Sequence, residues 1–504
     1  MLASDLPNPS PRDRETIGRP RRALWAPISR TTAQALLRQL GETLERVEDR
    51  VTRARCWKVL ELYEPAWNEL AAIEPQLPPG QLRAGVRAQL LILSYYLARP
   101  VDEETFGESV NREAGSDLYI LTDLHLGRSL RATARNDLHV ALREVYFSVD
   151  LAKEASQQQG EIRVLVPPLR LRAHLLAQAG SYREALGASA HAVRLAQALD
   201  SWELGWSVYM RGFVLWCQGR PQEAIHEFDE ALEFTSSGES SLPRWIRASR
   251  ARALMMLGRV ADAEMDLASS SYQLPEDIAY LAIARGEPSV AVLALEPHLP
   301  ERDPFVLALH GIAQVLLGHG RPAEEDLLAA HQSFAAGGLV HYSLSARVHL
   351  AFCRSQRREG SGRPDLRAVA AEMMSRGAHC FAWPHKAATS WVAQTLRGAA
   401  GLSDFARGLD ARHSTMPLAT QLREHGLTDR ETEIALRILE RRGRSRDAVM
   451  CSRHSLAAEL SISDNTLRVH LMRIREKLGI VGRRGDDAVA DVVEGWTDDP
   501  PKTE

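Results

Sequence analysis

Three glycines, Gly180, Gly219 and Gly258, stand 39 residues apart, and their neighbours keep step with them. Ala185, Ala224 and Ala263 follow five places after each; Ala173, Gly212 and Ala251 stand seven places before, and Leu176, Leu215 and Leu254 four before. Between glycine and alanine lie SYRE, RPQE and RVAD, short turns that open a second helix. An internal period of this size constrains the fold strongly. Each unit is too small to bury its own apolar face and must stack on the next. The spacing predicts a first helix ended by glycine in the left-handed region, where a side chain is costly. Small residues then let two helices cross closely, and leucines fill the space between pairs. Fainter copies are centred on Ala279, Gly286 and Ala291, and on Ala313, Leu316 and Gly320, where Glu325 replaces the expected alanine.

The rest of the chain is consistent with an all-α protein. From Thr31 to about Arg412, Leu, Ala and Val recur at spacings of three and four, punctuated by Gly and Pro. Only EIRVLVPPL, 161–169, looks strand-like, and its two prolines argue against a central strand. A length of 504 residues implies more than one core. The Pro- and Arg-rich segment 1–30 is expected to be disordered. It lacks the apolar stretch of a secretory signal, and no apolar run reaches the roughly 18 residues that span a bilayer. No membrane association and a cytoplasmic location are therefore expected. The five cysteines, Cys56, Cys217, Cys353, Cys380 and Cys451, have neither metal-ligand nor redox-motif spacing and read as buried thiols.

The periodic region resembles the tetratricopeptide repeat. Its clearest copy is 205–234, where Gly212, Leu215, Gly219, Ala224, Phe228 and Ala231 fall on signature positions. The period of 39 exceeds the family's about 34, which implies longer helices or linkers. The resemblance is specific over 168–335. It implies a helical-repeat solenoid across 31–412, with a concave face suited to a peptide or protein ligand.

A second pattern lies at 455–480, SLAAELSISDNTLRVHLMRIREKLGI. Leu456, Ala457 and Leu460 give a short helix an apolar face. Ser463 is placed to cap a second helix running from Asp464 to Leu478, with Asp464 favourable at its positive start. Leu467, Leu471, Ile474 and Leu478 share one side of it, with His470 beside them. Asn465, Arg468, Val469, Met472, Arg473 and Arg475 share the other. A two-faced helix braced by a short one is the geometry that enters a major groove.

This stretch resembles the LuxR-type helix-turn-helix. The opening Leu427-Thr428-Asp429-Arg430-Glu431 matches, as do Leu456, Ala457, Leu460, Ile462, Ser463, Thr466, His470, Ile474, Lys477, Leu478 and Gly479. The resemblance implies a small four-helix DNA-binding domain at 421–496, followed by an acidic tail at 497–504. Its last helix, Asp487 to Trp496, would serve dimer contact, so a homodimer on double-stranded DNA is expected. By motif position, Arg468, Val469 and Met472 would meet base edges, and Asn465, Thr466, Arg473 and Lys477 would hold phosphates. Two departures stand out: Leu467 replaces the usual Val, and an Arg-rich insertion of about nine residues falls around 441–453. Charge agrees with the expectation. Residues 421–484 hold fourteen Lys or Arg against nine Asp or Glu, in a chain whose net charge is -3.

No catalytic signature is present. None of Lys58, Lys153, Lys386, Lys477 or Lys502 follows a glycine, which removes the phosphate-binding loop, and HExxH, GxSxG and GxGxxG are absent. The expectation is a non-enzyme with no metal and no cofactor: a transcription regulator whose array senses a peptide or protein. The alternatives are a tetratricopeptide-type adaptor with little or no specific DNA binding, a dimerisation fold that has lost DNA binding, and a promoter-reading sigma-factor region. His174, His191, His226 and His310 read as packing residues. So do Trp202, Trp206 and Trp216, against the alternative of a ligand-facing cluster.

Overall fold

A computed structural model describes residues 24–40, 46–199, 201–235, 242–269, 274–357, 362–378, 391–393, 395–396, 427–444, 456–457, 460 and 462–477. Among these, every regular element is an α-helix or a 3-10 turn. The chain divides into two compact units, Met1–Phe405 and Ala406–Glu504.

The first unit runs through α1 (Arg30–Leu40), α2 (Val47–Val59), α3 (Tyr63–Ile73), α4 (Gln81–Tyr96), α5 (Glu103–Glu113), α6 (Leu118–Ala134) and α7 (Leu138–Gln159). It continues through α8 (Val166–Gln178), α9 (Tyr182–Ala198), α10 (Leu204–Cys217), α11 (Pro221–Glu233), α12 (Leu242–Met256) and α13 (Val260–Ala268). Then come α14 (Pro275–Arg285), α15 (Pro288–Leu295), α16 (Pro304–Leu316), α17 (Gly320–Ala336), α18 (Val340–Arg357) and α19 (Arg363–Ser375). Successive helices pack on one another along this unit, as a helical-repeat array requires.

The repeat positions do the work their spacing predicts. Gly180, Gly219 and Gly258 end or follow α8, α10 and α12 with φ of 73°, 79° and 70°. Ala185, Ala224 and Ala263 are fully buried, as are Ala173 and Ala251. At Gly212 the reason for a small residue is direct: a Cβ there would lie 2.7 Å from Phe228 Cε1, on the facing helix α11. Gly286 (φ 76°) with buried Ala279 and Ala291 forms the next copy.

The following copy has a different register from the one expected. Gly318, not Gly320, adopts the left-handed backbone (φ 80°), and Gly320 instead opens α17. The alanine five places on is therefore Ala323, which is fully buried, and the small residue seven places back is Gly311. Glu325 is exposed and holds no repeat position.

Two further copies lie where the sequence shows no repeat. Asn136 has φ 57°, with Ser129 seven places before and Ala141 five after; Ser129 Oγ donates to Ala141 O at 2.8 Å across the α6–α7 crossing. Glu61 has φ 62°, with buried Ala54 and Ala66 at the same offsets.

The strand-like stretch 161–169 is not a strand. Ile162–Leu165 is a 3-10 turn, and Pro167 and Pro168 fall at the start of α8, where a missing N–H costs nothing.

One later helix of this unit packs back against an earlier one. Helix α18 has buried residues around most of its circumference, from His341 to Cys353. It packs against α8. His341 Nδ1 pairs with Tyr182 Oη at 2.9 Å, and its ring lies 5.6 Å from that of Trp216. Gly337 O accepts from Leu138 N at 2.9 Å, so chain positions almost 200 residues apart are joined. Cys56, Cys217 and Cys353 are buried and unpaired. Burial pushes the Cys56 thiol up to about 12.

Candidate nucleic-acid interface

The second unit contributes α20 (Asp429–Arg444), the short turn holding Leu456, Ala457 and Leu460, and α21 (Asp464–Lys477). A single small core joins them. Leu427, Ile434, Ala435 and Ile438 meet Leu456, Ala457 and Leu460, and both meet Leu467, Leu471 and Ile474. Leu467 and Ile474 are fully buried. The four- and three-residue spacing of these leucines and isoleucine fixes which side of α21 faces inward.

Local chemistry sets each helix start. Ser463 Oγ accepts from Thr466 N at 3.0 Å, the capping bond expected of it. At α20, Thr428 and Glu431 form a reciprocal box: Glu431 N donates to Thr428 Oγ1 at 3.3 Å and Thr428 N to Glu431 Oε2 at 2.8 Å. Arg430 reaches across to donate to the carbonyl of Leu460, closing the end of the short turn.

Glu431 is the residue that motif reading undervalued. It is buried at 1 % exposure and also accepts from Lys477 Nζ at 2.7 Å, tying the end of α21 to the start of α20. Burial alone pushes its carboxyl up, but the bonds from Lys477 and Thr428 outweigh that and hold it below the usual range. The signal was present in the sequence as threonine and glutamate three places apart. Lys477, expected on phosphate, is thus engaged within the module, although a third of its side chain remains exposed.

The outward face of α21 carries the other expected residues. Asn465, Thr466, Arg468 and Arg473 are exposed. Thr466 shares its hydroxyl with Ser463 Oγ at 2.7 Å. Val469 and Met472 are also exposed, at 43 % and 60 %, on the face opposite the core. The module therefore brings Arg468, Val469 and Met472 together on one exposed helical face and keeps Leu467, Leu471 and Ile474 off it. His470 sits between the two faces, with its Nδ1 buried and without a partner. Leu478, Gly479, the helix expected at Asp487–Trp496 and the tail 497–504 lie outside the described residues. The Arg-rich insertion does so in part: α20 runs through Arg444, and 445–453 is not described.

No protein-family profile matches this chain, and no curated protein does. Among solved structures it is similar to yeast Tom70, at 12 % identity and a TM-score of 0.34, over 86 % of this chain and 88 % of that one. It is also similar to a Naa15/Naa10 structure bound to HypK-THB, at 11 % identity and a TM-score of 0.24, over 92 % of this chain and 81 % of that one. Both superpositions are loose, and the helical-repeat description rests on this chain's own crossings and glycine turns.

Of the remaining expected sites, His191 and His226, read as packing residues, are exposed, whereas the others are wholly or partly buried. Trp206 and Trp216 are buried, Trp206 Nε1 donating to Glu61 Oε1 at 2.8 Å. Trp202 is half-buried and faces a cavity. His310 pairs with Asp326 at 2.7 Å, and the His174 ring stacks on Phe213 at 4.6 Å. Among the described residues no three His, Cys, Asp or Glu side chains gather as metal ligands, and no helix is long and apolar enough to cross a membrane.

Proposed function

We propose that this chain is a transcription regulator of LuxR-like type, whose C-terminal module reads double-stranded DNA and whose tetratricopeptide-like array engages a peptide or protein partner. The observation that carries the DNA reading is the free face of α21. An exposed valine and an exposed methionine flank Arg468 there, while every leucine and isoleucine described on that helix is packed inward. An apolar-plus-arginine surface on a braced helix suits a groove, where Arg468 pairs with guanine and Val469 or Met472 meets a thymine methyl. Arg473, Asn465 and Thr466 hold phosphates in this reading, with Lys477 reaching one only by sharing or leaving Glu431. The protein is then a cytoplasmic homodimer and not an enzyme, with no cofactor.

A second reading, an interaction adaptor with little or no specific DNA binding, has one observation in its favour. Lys477 neutralises a carboxylate inside the module, leaving fewer cations free for phosphate. In either reading a partner meets the array outside the surface of α8 that α18 covers, or displaces α18.

Selection of duplexes from a random pool by the full chain, with anisotropy titrations at two salt concentrations, separates the readings. A regulator returns a two-fold-related motif and a steep salt dependence. Equal, weak binding of all duplexes selects the adaptor.

A further inference from the structure

Between α2, α4, α6 and the 3-10 turn before α8 lies a small, solvent-connected cavity of about 70 Å3. Ile28, Val59, Leu126 and Trp202 give it apolar walls. Arg55, Lys58, Gln89, Thr122 and Asp123 line it too. Arg55 and Lys58 stand one turn apart on the same side of α2.

Neither cation has a counter-ion at contact. Arg55 Nη2 donates to Ala26 O at 2.6 Å and Lys58 Nζ to Gln89 Oε1 at 2.6 Å; neither makes an ion pair among the described residues. Asp123 is bound by the amide of Gln89. The other charges that act on the two cations are already neutralised or occupied. Glu203 pairs with Arg170 at 2.7 Å, and Asp117 accepts from Tyr119 N and Ile120 N at the start of α6. The cavity lining therefore holds two basic side chains, Arg55 and Lys58, against one acidic one, Asp123. Burial lowers the pKa of Arg55 and of Lys58 and raises that of Asp123, because desolvation penalises each charged form.

Thr122 supplies an independent observation. It is 2 % exposed, lines the cavity, and its hydroxyl has no hydrogen-bond partner. Its carbonyl is taken, by Ser148 Oγ at 2.9 Å. A buried hydroxyl without a partner is costly unless something in the cavity meets it.

We propose that this cavity binds a small organic monocarboxylate, seated between Arg55 and Lys58, with the Thr122 hydroxyl donating to it and its apolar end against Trp202 and Ile28. One negative charge balances the second basic side chain. The planar guanidinium fork matches a carboxylate, and the apolar walls suit a carbon tail better than an inorganic anion.

The full chain, titrated calorimetrically and by thermal shift with butyrate, benzoate, butyramide and inorganic phosphate, provides the test. At least one carboxylate is expected to bind saturably and raise the melting temperature, with butyramide and phosphate silent. Lys58→Met and Arg55→Met should each weaken that binding at least tenfold while the unliganded protein stays folded. Thr122→Val, which keeps the shape of the wall, should weaken it about tenfold, and it decides the matter should the methionine variants fail to fold. Absence of saturable carboxylate binding, phosphate binding in its place, equal binding of butyramide, or undiminished affinity in Thr122→Val overturns the proposal.

Discussion

The same substitution at two glycines of adjacent helices should change stability in opposite directions. Gly187 sits inside α9, exposed, with no atom within 4 Å of the position a Cβ would take. Replacing it by alanine removes only the entropic cost of glycine in a helix and should stabilise by roughly 0.5–1 kcal/mol. Gly212 sits inside α10 and gains the same helix term on Gly212→Ala. Its new methyl, however, would stand 2.7 and 2.8 Å from two ring carbons of Phe228 and 3.1 Å from Glu227 Cβ. Phe228 is fully buried, so its ring has nowhere to move without shifting α11. Overpacking of this kind costs about 1–3 kcal/mol; set against the helix gain, it leaves a net loss of up to about 2.5 kcal/mol. Urea unfolding of the full chain, followed by helical circular dichroism, reads both. The midpoint of Gly187→Ala should rise and that of Gly212→Ala should fall. If both rise together, helix propensity alone governs these sites, and the small-residue crossing between α10 and α11 does not limit the packing.

Three other outcomes are expected. Under the DNA reading, Arg468→Ala should relax base preference at one position and cost about 1–3 kcal/mol, whereas Arg473→Ala should weaken every duplex alike and lower the salt slope by about one; binding selections with the two variants separate these effects, and identical profiles would remove Arg468 from base reading. Lys477→Met strands the buried Glu431 carboxylate; after allowance for the exposed part of Lys477, the module should lose roughly 1–2 kcal/mol, seen as faster amide exchange in α20, and adding Glu431→Gln should recover part of it. Burial holds His341 down to about 4, and His174 and His349 likewise sit at about 4, chiefly through burial. The folded chain favours neutral rings, so the unfolded chain binds protons first as the pH falls. Their stabilisation is complete above about pH 6.5, the unfolded value, and is lost progressively from there down to about 4. A melting temperature that stays flat from pH 7 to 4.5 would count against these rings being buried neutral.

The array was readable from sequence where glycines recur in step with their small and leucine neighbours. Gly180, Gly219, Gly258 and Gly286 are visible because the left-handed region strongly prefers that residue. Asn136 and Glu61 make the same turn without it, so the α6–α7 and α2–α3 pairs carry no local mark. In the segment Gly318-His319-Gly320 either glycine satisfies the pattern, and only the backbone shows that the first one turns. The core face of α21 followed from three- and four-residue spacing, and the Ser463 cap from residue type. The tie between Glu431 and Lys477 did not, since it spans 46 positions and depends on two helix ends meeting. The cavity was out of reach for the same reason: Arg55, Thr122 and Trp202 come from three distant segments. Helix α18 left no local trace of its burial, since His341, Ser343, Ser345 and His349 are buried in it although their residue types suit a surface.

That helix changes how the first unit should come apart. Stacks whose layers touch only the next layer can fray from an end, one layer at a time. Here residue 341 is braced against 182 and residue 337 against 138. Trimming the chain ahead of Val340 should therefore be felt at α8, in the middle of the unit. The layers between are expected to melt as a block, and any ligand that draws α18 away would loosen distant layers in a single step.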